Sequence, residues 1–304
     1  MIQFRSSVFL VLVVVVLLFV VSCSSSTPSS SMYNFRSGIS EIQITDDSVF
    51  PLQVSNRDPF EVRLVLQNKA AYDLTNVKVG LVGLDSDKIL VDEPEQEVPE
   101  FFGRSLSYPE GDRREVVFTG SVASLKLAGD DGRKDTFQAY VSYDSTVELS
   151  YDLCVSGASM VVNDGGCMPD DTPQRLSGQG APIAITDVYE QASGDRGQVR
   201  FTLENRGSGD AVYAVLGNGG GRMATLGGMP ISCQFLSEFP ARFEFGEKKS
   251  VDVSCSFDLQ AGGRSYSSPL YVQIGYGYRY WEDHSVVVRR TGGGSAPIDP
   301  RLLS

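Results

Sequence analysis

After Glu41, apolar residues recur at every second position through most of the chain. Phe60, Val62, Leu64 and Leu66 alternate with Glu61, Arg63 and Gln67; Val77, Val79 and Leu81 alternate with Lys78 and Gly80. A period of two sends successive side chains to opposite faces of a pleated strand. Val116 and Phe118 open another strand after the turn Glu110-Gly111-Asp112, and Ala128-Gly129-Asp130-Asp131-Gly132 is a strong turn signal. Phe137, Ala139, Val141 and Tyr143 then alternate, followed by Val147, Leu149, Tyr151, Leu153 and Val155, which predicts a final hairpin. No stretch carries the 3.6 period of a three-turn amphipathic helix.

Residues 156–181 break the pattern with Gly157, Gly165-Gly166, Pro169, Pro173, Gly178 and Gly180, and read as a linker. A second strand series follows: Ile183 and Ile185; Val199, Phe201 and Leu203; Val212 to Leu216; Val251, Val253 and Phe257; Leu270, Val272, Ile274 and Tyr276; Val286 and Val288. Many short strands bounded by turns predict sandwiches or barrels. The expected class is all-β, with two immunoglobulin-like β-sandwiches in tandem after an N-terminal signal or anchor helix. The expected boundaries are 1–22 signal, 23–40 Ser-rich tether, 41–155 first sandwich, 156–181 linker, 182–290 second sandwich and 291–304 flexible tail.

The start of the chain has a different logic. Val8 to Val21 is an unbroken apolar run of 14 residues behind a single charge, Arg5. That is short for a spanning helix and suits the core of a signal peptide. Val20-Val21-Ser22-Cys23 resembles a lipobox, which implies cleavage before Cys23 and lipidation of its thiol. Ser24 to Ser31 then reads as a flexible tether. An uncleaved signal anchor is the alternative; either way the bulk lies outside the cytoplasm.

Four of the five cysteines remain after Cys23: Cys154, Cys167, Cys233 and Cys255. An even remainder in an exported chain implies disulfides, and four cysteines allow three pairings. Pairing within each half or its border favours Cys154–Cys167 and Cys233–Cys255. With no CxxC spacing and a single histidine, no zinc site is expected, nor any other metal or cofactor. The net charge of -12 disfavours nucleic acid and anionic lipid headgroups as partners. The bilayer, through the N-terminus, and a protein of the cell envelope are the expected ones.

The second half echoes the first. Leu66-Gln67-Asn68 matches Leu203-Glu204-Asn205, Gly111-Asp112-Arg113-Arg114 matches Gly246-Glu247-Lys248-Lys249, and Tyr140-Val141-Ser142-Tyr143 corresponds to Tyr271-Val272-Gln273-Ile274. A strand ending in Leu-x-Asn, a Gly- or Asp-rich turn, a charged pair opening a Val-rich strand and a Tyr-rich final hairpin resemble the CARDB-type, immunoglobulin-like modules of prokaryotic surface proteins. The resemblance covers residues 41–155 and 182–290. It implies adhesion, spacing or scaffolding rather than catalysis. Trp281 lies late in a C-terminal strand, so the buried Trp and bracketing disulfide of antibody domains are missing.

Candidate chemistry is sparse. His284 in Glu282-Asp283-His284-Ser285 is expected at an edge or surface, since strand alternation separates it from its neighbours. Gly217-Asn218-Gly219-Gly220-Gly221-Arg222 reads as a hairpin loop rather than a nucleotide cradle. Asp46-Asp47, Asp85 with Asp87, Asp130-Asp131, and Asp164 with Asp170-Asp171 are candidate Ca²⁺ ligands without a twelve-residue loop. Phe101 and Phe102 are expected to cap the sandwich, with an exposed partner-binding tip as the alternative. Tyr276, Tyr278, Tyr280 and Trp281 suggest a sugar-stacking platform, although alternation puts Trp281 on the opposite face from the tyrosines. The expected function is non-catalytic adhesion or scaffolding, through loops such as 85–112 or 217–228, with carbohydrate or Ca²⁺ binding as the alternative.

Overall fold

The computed structural model describes residues 34–55, 58–123, 133–155, 167, 172–193, 196–216, 224–237, 241–259 and 265–289. Cys23, the signal and the tether up to residue 33 lie outside them, as does the tail from residue 291, while residues 34–40 of the expected tether are described and Gly38 bridges to Gln179. Among the described residues every regular element is a strand, and no helix is long and apolar enough to cross a membrane.

The first series is β1 (Ile42–Ile44), β2 (Gln53–Ser55), β3 (Pro59–Asn68), β4 (Thr75–Val82), β5 (Ile89–Val91), β6 (Glu95–Val98), β7 (Arg113–Val122) and β8 (Arg133–Val155). The second is β9 (Gln174–Arg175), β10 (Ile183–Ser193), β11 (Arg196–Asn205), β12 (Asp210–Leu216), β13 (Ala224–Leu226), β14 (Met229–Pro230), β15 (Ser232–Phe235), β16 (Arg242–Glu244), β17 (Ser250–Asp258) and β18 (Tyr266–Arg289). Two small sheets have matching orders, β1-β3-β7-β5 and β10-β11-β17-β15, the latter extended by β9. The third sheet has nine strands and runs through both halves. In it β8 carries β4 and then β6, and β18 correspondingly carries β12 and then β16.

The hairpins expected within 137–155 and 270–288 do not form. β8 is one strand of 23 residues and β18 one of 24, paired antiparallel from Arg133–Val288 to Val155–Tyr266. The local reason is turn chemistry. A two-residue hairpin needs backbones with positive φ, and neither Asp144-Ser145-Thr146 nor Arg279-Tyr280-Trp281 contains Gly or Asn or adopts that conformation. Each strand therefore runs straight on. The second part of β8 lies beside the start of β18, in the second half, while the end of β18 returns to lie beside the start of β8. The two halves exchange their last strands within one chain.

Alternation runs through this pair without changing phase. Phe137, Ala139, Val141, Tyr143, Val147, Leu149, Leu153 and Val155 are all buried, as are Leu270, Val272, Ile274, Tyr276, Tyr278, Val286 and Val288. Paired residues point to the same side of a sheet, so both small sheets cover one face of the nine-stranded sheet. The core is accordingly continuous, joining Ile42, Leu64, Phe118 and Val141 to Ile185, Phe201, Val253 and Ile274. The described residues from Phe35 onward fall in one compact unit. The linker positions described do not part the halves: Gly180 N–H donates to Gly38 O, and Ala71 N–H donates to Gly180 O.

The matched Leu-x-Asn motifs do the same work twice. Asn68 Nδ2 donates to Tyr72 O and its Oδ1 accepts from Ala70 N–H. Asn205 Nδ2 donates to Gly209 O and its Oδ1 accepts from Gly207 N–H. The amide side chain thus bridges the turn leaving each strand, as short polar side chains do where the backbone runs out of ladder partners. The same step along the chain that separates the pair Thr75–Asp144 from Asp210–Arg279 also carries Tyr143 onto Tyr278. Tyr143 and Tyr278 are themselves paired, which places them at the centre of the exchange.

Candidate functional site

Polar and aromatic side chains gather at the junction at the centre of the exchange, at the ends of the two halves, and on the open face of the nine-stranded sheet. At the junction the Tyr143 and Tyr278 rings lie 5.7 Å apart. Tyr278 Oη donates to Glu41 Oε2 at 2.9 Å and accepts from Gly209 N–H at 2.8 Å. Ser208 donates to Glu41 through its N–H at 3.1 Å and its hydroxyl at 2.6 Å. Burial, then the Glu41 carboxylate, hold the Tyr278 phenol far above its ordinary range. Tyr143 is raised by burial first and then by Tyr276, Tyr278 and Glu41. Glu41 therefore clamps the first half to the turn after Asn205. This is a structural lock between the halves.

The four disulfide candidates fall into two bonds, Cys154–Cys167 and Cys233–Cys255. Cys233 and Cys255 sit directly opposite one another on β15 and β17, with Cα atoms 4.0 Å apart. Two disulfides indicate folding in an oxidising, extracytoplasmic compartment.

His284 is half-buried rather than fully exposed. It lies on the core side of β18, stacked on Phe50 at 3.6 Å and tilted against Phe137 at 5.7 Å. Burial lowers its pKa, against the opposing pull of Glu282 and Asp283. The histidine is a packing residue, and Glu282 at 3.7 Å is its nearest carboxylate. Phe101 is fully buried, with Arg114 above its ring, while Phe102 stacks on Tyr108. One ring plugs the core and the other folds onto its own loop.

Among the carboxylate pairs, Asp47 is bound to Arg113 and Asp85 to Lys88, and Asp85 also accepts the Asp87 N–H. Asp130-Asp131, Asp164 and Asp170-Asp171 lie outside the described residues, as does the glycine run 217–221 with Arg222. Among the described residues no three His, Cys, Asp or Glu converge where they could hold a metal ion. At the far end of the second half an open groove of about 720 Å³ runs between the Leu226–Ile231 hairpin and Phe257 and Tyr266. Its rim carries Met229, Arg196 and Asp258.

The outer face of the nine-stranded sheet carries the richest chemistry. Tyr276 and Tyr278 are buried on the inner side, so the aromatic platform expected from them is not available to a ligand. Other rings replace it. Tyr140 on β8 lies across Gly80 on β4 and reaches Glu95 on β6 with its hydroxyl. Tyr213 on β12 lies across Gly277 on β18 and reaches Asp144 on β8 at 2.6 Å. A Cβ at Gly80 or Gly277 would stand 2.5 or 2.4 Å from the ring that covers it, so glycine is what lets each ring lie down on the sheet. Burial and the carboxylate partner lift both phenols to about 12, and the Tyr140 hydrogen bond lowers the pKa of Glu95.

Arginines complete the pattern. Arg279 lies over Tyr140 at 5.7 Å and Arg242 over Tyr213 at 4.1 Å. At the next position along β8, Glu148 binds Arg36 at 2.6 Å and Gln273 at 3.2 Å, and also raises the pKa of Tyr271 after burial. Trp281 is paired opposite Tyr140 and is 38% exposed. Trp281 is apparent in the sequence, whereas no motif marks Tyr140, Tyr213 and their carboxylates. Gly-x-Gly-x-Arg-x-Trp at 275–281, small residues alternating along one face toward a tryptophan, was the available signal.

No family model matches the chain, and no curated protein matches it. Among solved structures, the E. coli chaperone DraB is 13% identical, covering 76% of this chain and 96% of its own at a TM-score of 0.20. The CupB6 tip adhesin from Pseudomonas aeruginosa is 8% identical, covering 84% and 97% at a TM-score of 0.17. Likenesses this weak carry no argument about function.

Proposed function

We propose that this chain is a membrane-anchored, extracytoplasmic adhesion or scaffold protein without catalytic activity. Its body is two immunoglobulin-like sandwiches fused by exchange of their last strands. The strand orders β1-β3-β7-β5 and β10-β11-β17-β15 correspond to the A-B-E-D sheet of such sandwiches. The observation that carries the reading is the shared sheet itself. One continuous pair of strands, about 75 Å long at the usual rise, makes the two halves a single stiff platform. That suits presenting a surface at a distance from an anchor better than closing around a substrate. The only described histidine is packed among phenylalanines, where it serves no nucleophile. Anchoring rests on the lipobox-like Val20-Val21-Ser22-Cys23, and the envelope partner rests on the resemblance to surface modules.

Intact mass spectrometry of the protein from a membrane fraction tests the reading. A chain beginning at Cys23 with added lipid mass and two disulfides is expected. A mass retaining residues 1–22 would overturn lipid anchoring, and a protein recovered only from the cytosol with free thiols would overturn the whole assignment.

A further inference from the structure

We propose that the outer face of the nine-stranded sheet binds a neutral β-linked glycan chain lying along β8 and β18, an inference that rests on the reading of this protein as a non-catalytic binding module. Three features of the face argue for that ligand class. The first is flatness. Tyr140 and Tyr213 lie flat across Gly80 and Gly277, and Gly275 adds no side chain to β18 beyond Tyr213, so the surface is a shallow shelf rather than a pocket. Pyranose rings present flat C–H faces that pack on aromatic planes, and Trp281 beside Tyr140 is the exposed plane here. Arg242 above Tyr213 and Arg279 above Tyr140 add planar donors to the same shelf.

The second feature is the supply of fixed hydrogen-bond partners. Each carboxylate is held in place by neutral or cationic donors: Glu95 by Tyr140 and Lys78, Asp144 by Tyr213 and Asn76, Glu148 by Arg36 and Gln273. An ionised carboxylate oxygen accepts more than one hydrogen bond, so each retains acceptor capacity for a hydroxyl. Tyr140, Asp144 and Glu148 recur every fourth residue on one side of β8. That spaces the three clusters by about 13 Å and stretches the row over about 26 Å, so the site fits an extended chain rather than a single sugar.

The third feature is charge. Glu95, Glu97, Asp144, Glu148, Glu244 and Asp283 share this face with Lys78, Arg36, Arg242 and Arg279. The balance is mildly acidic within a chain of net charge -12, which favours an uncharged, hydroxyl-rich polymer and disfavours polyanions.

Cellohexaose and chitohexaose, with hexa-galacturonate as the anionic control, would be titrated into the purified protein while Trp281 emission and calorimetric heat are followed. The proposal expects saturable binding of at least one neutral hexasaccharide with a change in Trp281 emission, and none of the anionic one. Trp281→Ala and Tyr140→Phe, both checked for an unchanged circular dichroism melt, are expected to weaken binding at least tenfold and about threefold. Arg196→Ala, at the distant groove, should leave it unchanged. Binding of neither neutral hexasaccharide at millimolar concentration, binding of the anionic one alone, or affinity untouched by Trp281→Ala would each overturn the proposal. None of these results bears on anchoring or compartment, which the mass measurement decides separately.

Discussion

A cavity made in one half should be felt in the other. Leu203 on β11 is fully buried in the second half, opposite Ile185 and Val251. Leu203→Ala removes three buried carbons, worth about 2.4 kcal/mol at ~0.8 kcal/mol each. The residual cavity raises this to about 3 kcal/mol. For a unit of this size each kcal/mol shifts Tm by roughly 2–4 °C, so a drop of about 6–12 °C is expected. The reporter is built in. The single tryptophan, Trp281, pairs with Tyr140 in the first half, two residues past Arg279, the last position at which β18 pairs with β12 of the second. If the halves share strands and core, Trp281 emission and far-ultraviolet circular dichroism should move together by the same amount. A Trp281 transition that stays at the wild-type temperature, while a separate dichroism transition falls, would refute the shared core.

The other predictions concern smaller devices. Tyr278→Phe leaves the Gly209 N–H and a Glu41 oxygen without their partner and should cost about 1–3 kcal/mol; Glu41→Gln on top of it should add less than it does alone, as measured by a double-mutant cycle in urea. Asn68→Ala should cost about 1–3 kcal/mol and Asn205→Ala less, because Asn68 is fully buried and Asn205 is not; a reversed order would contradict the bracing role. Burial lowers the folded-state pKa of His284 below its unfolded value, so the unfolded chain binds the proton more readily. Stability should be complete above about pH 6.5 and decline as pH falls through that value toward the folded pKa. Urea midpoints from pH 7.5 to 5 should show this decline, and His284→Phe should reduce its slope.

Strands were legible where alternation was clean, as in Phe60–Leu66 and Val77–Leu81, and the Leu-x-Asn echo marked two turns that prove to be braced in the same way. The exchange was missed because repeated strands near the end of each half suggest hairpins. Two signals argued against a turn: no Gly, Pro or Asn at 144–146, and odd-numbered apolar positions holding their phase from Phe137 to Val155. The outer-face site could not be read from alternation. Tyr140 meets Gly80 and Glu95, and Tyr213 meets Gly277 and Asp144, only once registers across three strands are set. Register depends on the buried face of each strand, a property of the assembled sheet and not of any one segment. His284 was misplaced for a related reason: its phase on β18 matches Val286 and Val288, which puts it inward.

Two strands run straight through the middle of the molecule, and the exchange depends on them. In the structure Asp144, Ser145 and Thr146 are paired with Gly277, Tyr276 and Gly275, and Arg279, Tyr280 and Trp281 with Ser142, Val141 and Tyr140. Hydrogen–deuterium exchange of peptides spanning 142–148 and 277–283 measures this directly. Protection through both segments equal to that of their flanks is expected. Rapid exchange confined to 144–146 and 279–281, the mark of two hairpin turns, would contradict the strand exchange.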